Sequence, residues 1–319
     1  MEMAERLHVR QDAARDDLTR EFGDKLSFDH PLAMFSTYRT GGPARYFIAV
    51  KSAQELSAAV KSALKLDLPF FILGGGSNIL VADGGYDGLV IKVDVMGLSV
   101  VDVTTVEVGA GVDLMKLVEF SAEHGLTGLE FASGIAGSVG GALYGNAGAY
   151  GNEIGRVVSK ILLVTQAGDI KEVGPEYCRF GYRDSYLKRS RDVVVRASFL
   201  LERGDAQEIR RQIAEIVQVR ESKLPIKEYS AGCFFKNIPD PKEKYGKLPA
   251  GRLLEEIGAK KMTVGGAKVY EKHANIIINT GTATSKDISD LAGQLKAAVL
   301  SRFGIELEEE VIRIGNHEA

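Results

Sequence analysis

The sequence predicts an α+β, or mixed α/β, protein. Three observations carry that prediction. Segments with helical spacing of apolar residues are interleaved with β-branched runs along the whole chain. The composition is ordinary for a globular protein, 45% hydrophobic and 26% charged. The length of 319 residues points to two or three domains.

Residues 1–25 alternate acids and bases and lack an apolar stretch, so they predict a charged, exposed helical extension and not a signal peptide. ARYFIAV (44–50) suits a strand. AQELSAAVKSALKL (53–66) places Leu56, Val60, Ala63 and Leu64 at helical spacing. PFFILGGGSN predicts a strand running into a glycine turn, and LVIKVDV and TTVEVGAGV predict further strands. MKLVEFSAEHG predicts a helix stopped by Gly125, a residue type favoured just past a helix end. SKILLVTQ, a turn at Ala167–Asp169, IKEVG and DVVVRASFLLE continue as strands. Arg203-Gly204-Asp205 is the best domain boundary. Beyond it AQEIRRQIAEIVQVRESK, GRLLEEI and SKDISDLAGQLKAAVLSRF predict helices, and HANIIINT and the C-terminal segment predict strands.

The charge balance excludes several classes. A net charge of −3 gives no footprint for nucleic acid. No uncharged apolar run approaches the roughly 18 residues of a membrane span. The two cysteines, Cys178 and Cys233, form no ligand cluster and no disulfide scaffold. The expectation is a cytoplasmic protein with no metal and no obligate protein partner.

Glycine is the outlier, with 36 residues against an average near 7% of a chain. The first glycine segment is Gly74-Gly75-Gly76-Ser77-Asn78, which follows an apolar strand. Successive N–H groups in such a turn form an anion-binding concavity, and Ser77 and Asn78 offer side-chain donors. Neither the Rossmann spacing nor a P-loop lysine is present, and a plain tight turn is the alternative. The second segment, residues 128–151, is rich in small residues and contains Ser133 and Ser138. It suits contact with a large planar ligand, or steric packing alone.

Other residues suggest chemistry. Arg183 lies beside Tyr182 in an aromatic setting that fits recognition of a carboxylate by a guanidinium fork, with a surface arginine in a turn as the bland reading. Arg220 and Lys223 are three apart near a helix end and share a face, where helix-dipole compensation is the bland reading. The acidic run Glu306–Glu310 alternates with an apolar residue, so one carboxylate could point inward. Cys233, in YSAGCFFKN, is either a small core residue or a working thiol.

The ordered set TYRTGGPARYF, LGGGSNILV, GLEFASGIAGSVGGALYGNAGAYG, CRFGYRDS, RESKLP, AGCFFKN, MTVGGAKVYEKHANIIIN and GIELEEEV resembles the UDP-N-acetylenolpyruvoylglucosamine reductase family, from about Phe35 to Val311. The resemblance implies a two-subdomain FAD-binding module of the PCMH type and a C-terminal α+β substrate domain. The partition it implies is a helical extension at 1–25, FAD subdomains at 26–95 and 96–203, and a substrate domain at 204–319. It also implies FAD and NADPH as cofactors and a UDP-sugar as substrate. Cofactor contacts would come from Gly74, Gly75, Gly76, Ser77 and Asn78 at the pyrophosphate. They would also come from Ser133, Gly134, Gly137, Ser138, Gly140, Gly141, Asn146, Ala147 and Gly148 along the flavin. Arg183 and Glu310 would be catalytic, and Cys233 would stand where the family's serine proton donor stands. Tyr182, Arg220, Lys223 and Asn237 would bind substrate.

Three departures accompany the resemblance. Ala136 replaces the proline of the family's G-I-P-G. The C-terminal E-V-R-F becomes Glu310-Val311-Ile312-Arg313, and a one-position shift in a strand turns a side chain to the other face. The short segment after Arg183 matches the subgroup without a tyrosine-bearing lid. His273 gains no role beyond possible binding. Competing readings are another PCMH-type FAD-linked oxidase, or a flavin or sugar-nucleotide binding protein without catalysis.

Overall fold

A computed structural model describes residues 14–225, 228–243 and 246–317. The expectation for residues 1–13 lies outside the described residues. Residues 14–22 are helical (α1), and this helix is not simply exposed. Leu18 is fully buried in the main core, and Ala14 is buried as well.

The first sheet holds β1 (Leu26–Pro31), β2 (Pro43–Val50), β3 (Phe70–Leu73) and β5 (Tyr86–Val93), while β4 (Ile79–Val81) lies apart from it. The order is β1-β2-β5-β3, with β2 and β3 parallel to β5 and β1 antiparallel to β2. Helix α2 (Ala53–Lys65) connects β2 to β3. Its apolar face buries Leu56, Ala59, Val60 and Ala63, and the Ser52 side chain accepts the Glu55 N–H at its start.

The second sheet is antiparallel. It contains β6 (Leu98–Val100), β7 (Thr105–Gly109), β8 (Val158–Val164), β9 (Ile170–Val173) and β10 (Val193–Leu200), in the order β9-β8-β10-β7-β6. Helix α3 (Leu114–Glu123) begins at Asp113, whose carboxylate accepts two N–H groups, and ends before Gly125 at φ +64°. The second glycine segment is not a flat loop throughout. Residues Val139–Gly145 form helix α4, capped by the Ser138 hydroxyl and closed by Asn146 in the left-handed region at φ +45°. Small residues permit this because Gly140 packs where a Cβ would lie 2.9 Å from the Ala110 methyl.

The last third carries α5 (Ala206–Lys223), α6 (Ala250–Glu256), a three-stranded antiparallel sheet and α7 (Ser285–Phe303). The sheet strands are β11 (Thr263–Val264), β12 (Ala267–Val269) and β13 (Ile277–Asn279). Helix α7 starts with a reciprocal cap between Thr284 and Asp287 and stops at Gly304. Helix α5 lies on α3 and on the 130–132 turn. Strand β14 (Ile312–Ile314) then returns to the first domain and pairs in parallel with β4, Ile312 opposite Ile79. Tyr38 and Leu80 join the core of the last third, so the C-terminal domain is fastened to the first by shared core packing as well as by this strand pair. Among the described residues no helix is long and apolar enough to cross a membrane.

Candidate active site

A cavity of about 1950 Å³ opens between the two sheets and the last domain. Its walls include the Gly74–Asn78 turn, much of 134–153, Tyr182, Arg183, Arg220, Cys233, Asn237 and Glu310. Most of the sequence-selected residues therefore meet in one place. Two do not. Lys223 is exposed and lies off the cavity wall, so it does not join Arg220. Ser133 is fully buried beneath the wall, with a hydroxyl that has no partner among the described residues.

The two glycine turns are built against each other. A Cβ at Gly75 would stand 2.7 Å from the Ser138 nitrogen, and one at Gly76 would overlap the Phe35 carbonyl oxygen. Gly76 itself has φ +68°, which favours glycine again. The Gly75 N–H donates to the Ser138 hydroxyl oxygen at 3.2 Å. Ser77 donates to the Ala136 carbonyl at 2.8 Å, and the Asn78 amide donates to the Glu310 carbonyl at 3.0 Å. The Ser77 hydroxyl and one Asn78 amide N–H thus join protein to protein, while both residues still line the cavity. Backbone donors are open to an anion as well. Among the described residues, the N–H groups of Gly76, Ser77, Ala136 and Gly137 meet no protein acceptor. Two abutting turns with free N–H groups fit a phosphate-bearing cofactor.

Asn146 has a similar joining role. Its amide donates to the Gly181 carbonyl at 2.8 Å and accepts the Gly155 N–H at 3.1 Å. That contact seats a two-residue hairpin, closed by reciprocal Gly181 and Asp184 hydrogen bonds of 3.0 and 3.1 Å. Tyr182 and Arg183 are its tip. Arg183 has φ +51°, an uncommon backbone for a non-glycine residue that concentrates at functional sites. Its Nη1 donates to the Gly148 carbonyl at 3.0 Å, and its Nε lies 2.7 Å from Glu310 Oε1. That ion pair is not aligned as a hydrogen bond, which leaves the buried Nε–H without an acceptor.

Glu310 comes from the opposite end of the sequence. Its backbone N–H donates to the Phe234 carbonyl at 2.8 Å, and the Lys236 N–H donates to Glu308 at 2.9 Å. On the other side, Cys233 bridges Ile276, and Asn275 clamps Phe235. The Asn275 side chain accepts the Phe235 N–H at 2.9 Å and donates to the Phe235 carbonyl at 2.8 Å. Phe234 and Phe235 are completely buried and anchor the segment. Cys233 is held at the cavity wall as a half-buried free thiol.

Electrostatics follow from this enclosure. Burial pushes the Cys233 thiol up to about 11, with Glu310 adding to the rise and Arg183 and Arg220 opposing it. Burial also raises Glu310, against the pull of Arg183, Lys188 and Lys236. Arg220 sits beneath the Gly134 loop, where its Nε donates to the Gly134 carbonyl at 3.2 Å and Tyr150 reaches its guanidinium. Asn237 accepts the Ala250 N–H at 3.1 Å and thereby starts α6 at the cavity rim.

Four residues escaped sequence reasoning. Lys188 and Lys247 line the cavity, and the Lys247 ammonium lies 3.3 Å from the centre of the Tyr182 ring. Tyr150 is at the rim, and Asn275 lies behind the Cys233 strand. Only Lys188 had a usable signal, its place five residues after Arg183. His273 accepts the Asn275 N–H at 3.3 Å and so supports the clamp. The displaced Arg313 forms a two-point pair with Glu309 and donates to Ser289, away from the cavity wall.

Comparisons with known proteins fit this geometry. An "FAD binding domain" family model matches residues 44–174. A second, "UDP-N-acetylenolpyruvoylglucosamine reductase, C-terminal domain", matches residues 224–314. The UDP-N-acetylenolpyruvoylglucosamine reductase of Streptococcus thermophilus is 38% identical over 305 residues, covering 96% of this chain and 97% of that protein. The enzyme of that name from Pediococcus pentosaceus is 40% identical over 288 residues, covering 90% and 94%. The crystal structure of the Thermus caldophilus reductase superposes with a TM-score of 0.76 at 34% identity, covering 91% of this chain and 98% of that one.

Proposed function

This chain belongs to the UDP-N-acetylenolpyruvoylglucosamine reductase family, FAD-binding oxidoreductases of peptidoglycan precursor synthesis, and from that membership we propose an NADPH-dependent enzyme that uses Cys233 as its proton donor. The product would be UDP-N-acetylmuramate, made in the cytoplasm without a protein partner. The observation that carries the reading is the convergence of Arg183, Glu310 and Cys233, from three separate parts of the sequence, on the cavity that holds the two glycine turns. We divide the chain into a helical extension at 1–25, FAD subdomains at 26–95 and 96–203 and a substrate domain at 204–319.

The Gly74–Ser77 and Ala136–Ser138 turns would hold the FAD pyrophosphate through backbone N–H groups, and Gly140, Gly141, Ala147 and Gly148 would lie along the flavin. Bound FAD, once NADPH has reduced it, would supply hydride to the β-carbon of the enolpyruvyl ether. Charge then builds on the α-carbon and the carboxylate, where preorganised donors act most strongly. Arg183 is fixed by Gly148, its own turn and Glu310, so its guanidinium needs no reorganisation. When a substrate carboxylate pairs with Arg183, Glu310 loses part of its counter-ion. Already raised by burial, it takes up a proton and becomes a second donor. The α-carbon receives its proton from the Cys233 thiol. The same burial that raises this thiol keeps it protonated, as a general acid must be. Tyr182, Arg220 and Asn237 line the same wall and would contact the sugar nucleotide; Lys223, exposed off the wall, is proposed only as an outer contact.

The test is direct. Purified protein should be yellow, should bleach with NADPH under anaerobic conditions, and should recover colour on adding UDP-N-acetylenolpyruvoylglucosamine. Protein that binds no FAD, or bleached protein that the enolpyruvyl substrate leaves unchanged, overturns the reading.

A further inference from the structure

We infer that Lys188 is a positioning residue for Arg183 and Glu310, propping the turn that presents the guanidinium and adding positive charge beside the pair. The inference rests on the functional reading above and deepens it.

The backbone of Arg183 is left-handed at φ +51°, a conformation that L-residues other than glycine adopt at a cost. Something must hold it. The Lys188 ammonium donates to the Arg183 carbonyl at 2.6 Å, from the short helix Leu187–Ser190 that follows the turn. Two further contacts seat that helix. Ser185 donates to the Tyr144 carbonyl at 2.7 Å, and the Lys188 ammonium lies 5.6 Å from the centre of the Tyr144 ring. Lys188 is half-buried and lines the cavity beside Arg183 and Glu310.

The charges around it complete the case. The groups facing Lys188 are Lys236, Asp184, Glu310 and Glu308. Asp184 is paired with Arg189 at 2.8 Å, Glu308 with Lys236, and Glu310 with Arg183. Among the described residues Lys188 has no carboxylate within ion-pair distance of its own. The groups facing Glu310 are Arg183, Lys188 and Lys236, with the Cys233 thiol and the Tyr182 phenol also within its field. Arg183 and Glu310 alone sum to zero charge and exert little net pull on an arriving carboxylate. Lys188 adds to the positive charge that Arg220 and Lys247 also bring near Arg183, without competing for the guanidinium.

The experiment uses the full-length, FAD-loaded protein and the variants Lys188→Met, Lys188→Gln and Lys188→Arg. Two quantities are read: the anaerobic rate at which UDP-N-acetylenolpyruvoylglucosamine reoxidises the reduced enzyme, and the calorimetric Kd for that substrate, both across pH. Misplacing Arg183 in Lys188→Met should slow reoxidation at saturating substrate about 100-fold. The lost charge should weaken substrate binding about tenfold. The inflection belonging to Glu310 should move to higher pH, because a cation that favoured its ionised form is gone. Lys188→Gln keeps a donor but no charge. It should recover most of the rate while retaining weak binding and the displaced inflection. Lys188→Arg should restore all three. Lys188→Met reoxidised within about twofold of wild type, with an unmoved inflection, overturns the inference. If Lys188→Met does not fold, Lys188→Gln with wild-type affinity and an unmoved inflection overturns it equally. A wild-type enzyme that the substrate cannot reoxidise would instead sink the functional reading itself.

Discussion

The Cys233 thiol gives the sharpest test of how the fold sets its chemistry. An unperturbed cysteine titrates near 8.5 and is about 9% thiolate at pH 7.5. A thiol pushed up to about 11 is only about 0.03% thiolate there, roughly 300-fold less. The rarer thiolate is also more nucleophilic, by about tenfold for this difference in basicity. Alkylation of Cys233 by iodoacetamide at pH 7.5 should therefore run about 20- to 30-fold slower than that of a free cysteine. The rate should climb tenfold per pH unit up to about pH 10 without levelling off. Mass spectrometry of the Cys233 peptide reads this directly, in a Cys178→Ser background that removes the other thiol. Charge neighbours fix the sign of two further changes. Glu310→Gln removes a repelling charge and should lower the thiol and speed alkylation; Arg183→Gln should do the reverse. An alkylation profile levelling off below pH 9, or one that moves the wrong way in both variants, refutes burial and Glu310 as the cause. The catalytic counterpart is Cys233→Ala, in which reoxidation by substrate should fall by about 10²- to 10⁴-fold while NADPH still reduces the flavin. Cys233→Ser should retain turnover and lose the alkaline limb belonging to the thiol.

Other predictions follow from named contacts. Substrate binding to the oxidised enzyme near neutral pH should be accompanied by proton uptake at Glu310, seen as a dependence of binding heat on the ionisation enthalpy of the buffer; Glu310→Gln should abolish it, and a wild type without buffer dependence counts against proton uptake. Asn275→Ala strands the buried Phe235 N–H and carbonyl, so urea unfolding should register a loss of about 2–5 kcal/mol together with slower reoxidation. Gly76→Ala forces a methyl into the Phe35 carbonyl at positive φ, and should cost at least about 2 kcal/mol and release FAD on gel filtration. Gly293→Ala is its control, a helical position with open space around it, which should gain about 0.5–1 kcal/mol.

Periodicity made α2, α3, α5, α6 and α7 legible, because an amphipathic helix writes its buried face into consecutive turns. It failed at α4, whose glycines look like a loop until Ala110 and the Gly74–Gly75 turn press on them. HANIIINT reads as one long strand, yet only Ile277–Asn279 join β12. Ile276 instead faces Cys233, because the chain must also cradle that segment. Ser77 and Asn78 lie in the turn that the sequence predicts, but only the fold commits the Ser77 hydroxyl to Ala136 and one Asn78 amide N–H to Glu310. Lys223 shares a helix with Arg220, but only Arg220 is drawn in beneath Gly134.

The sequence by itself determined the class of fold, the two glycine turns and the identities of Arg183, Cys233 and Glu310, since residue type and local order are written in it directly. Only the tertiary structure decided that these three share one cavity. Their meeting depends on β14 crossing back to β4, on the amide of Asn78 holding the Glu310 carbonyl, and on Asn275 fixing the Phe235 strand. Pairings between residues so distant in the chain have no local periodicity; they are selected by the burial and hydrogen bonding of the whole fold. The elevated thiol of Cys233 belongs to the same category, because its shift comes from surrounding walls and from Glu310, neither of which is near it in sequence.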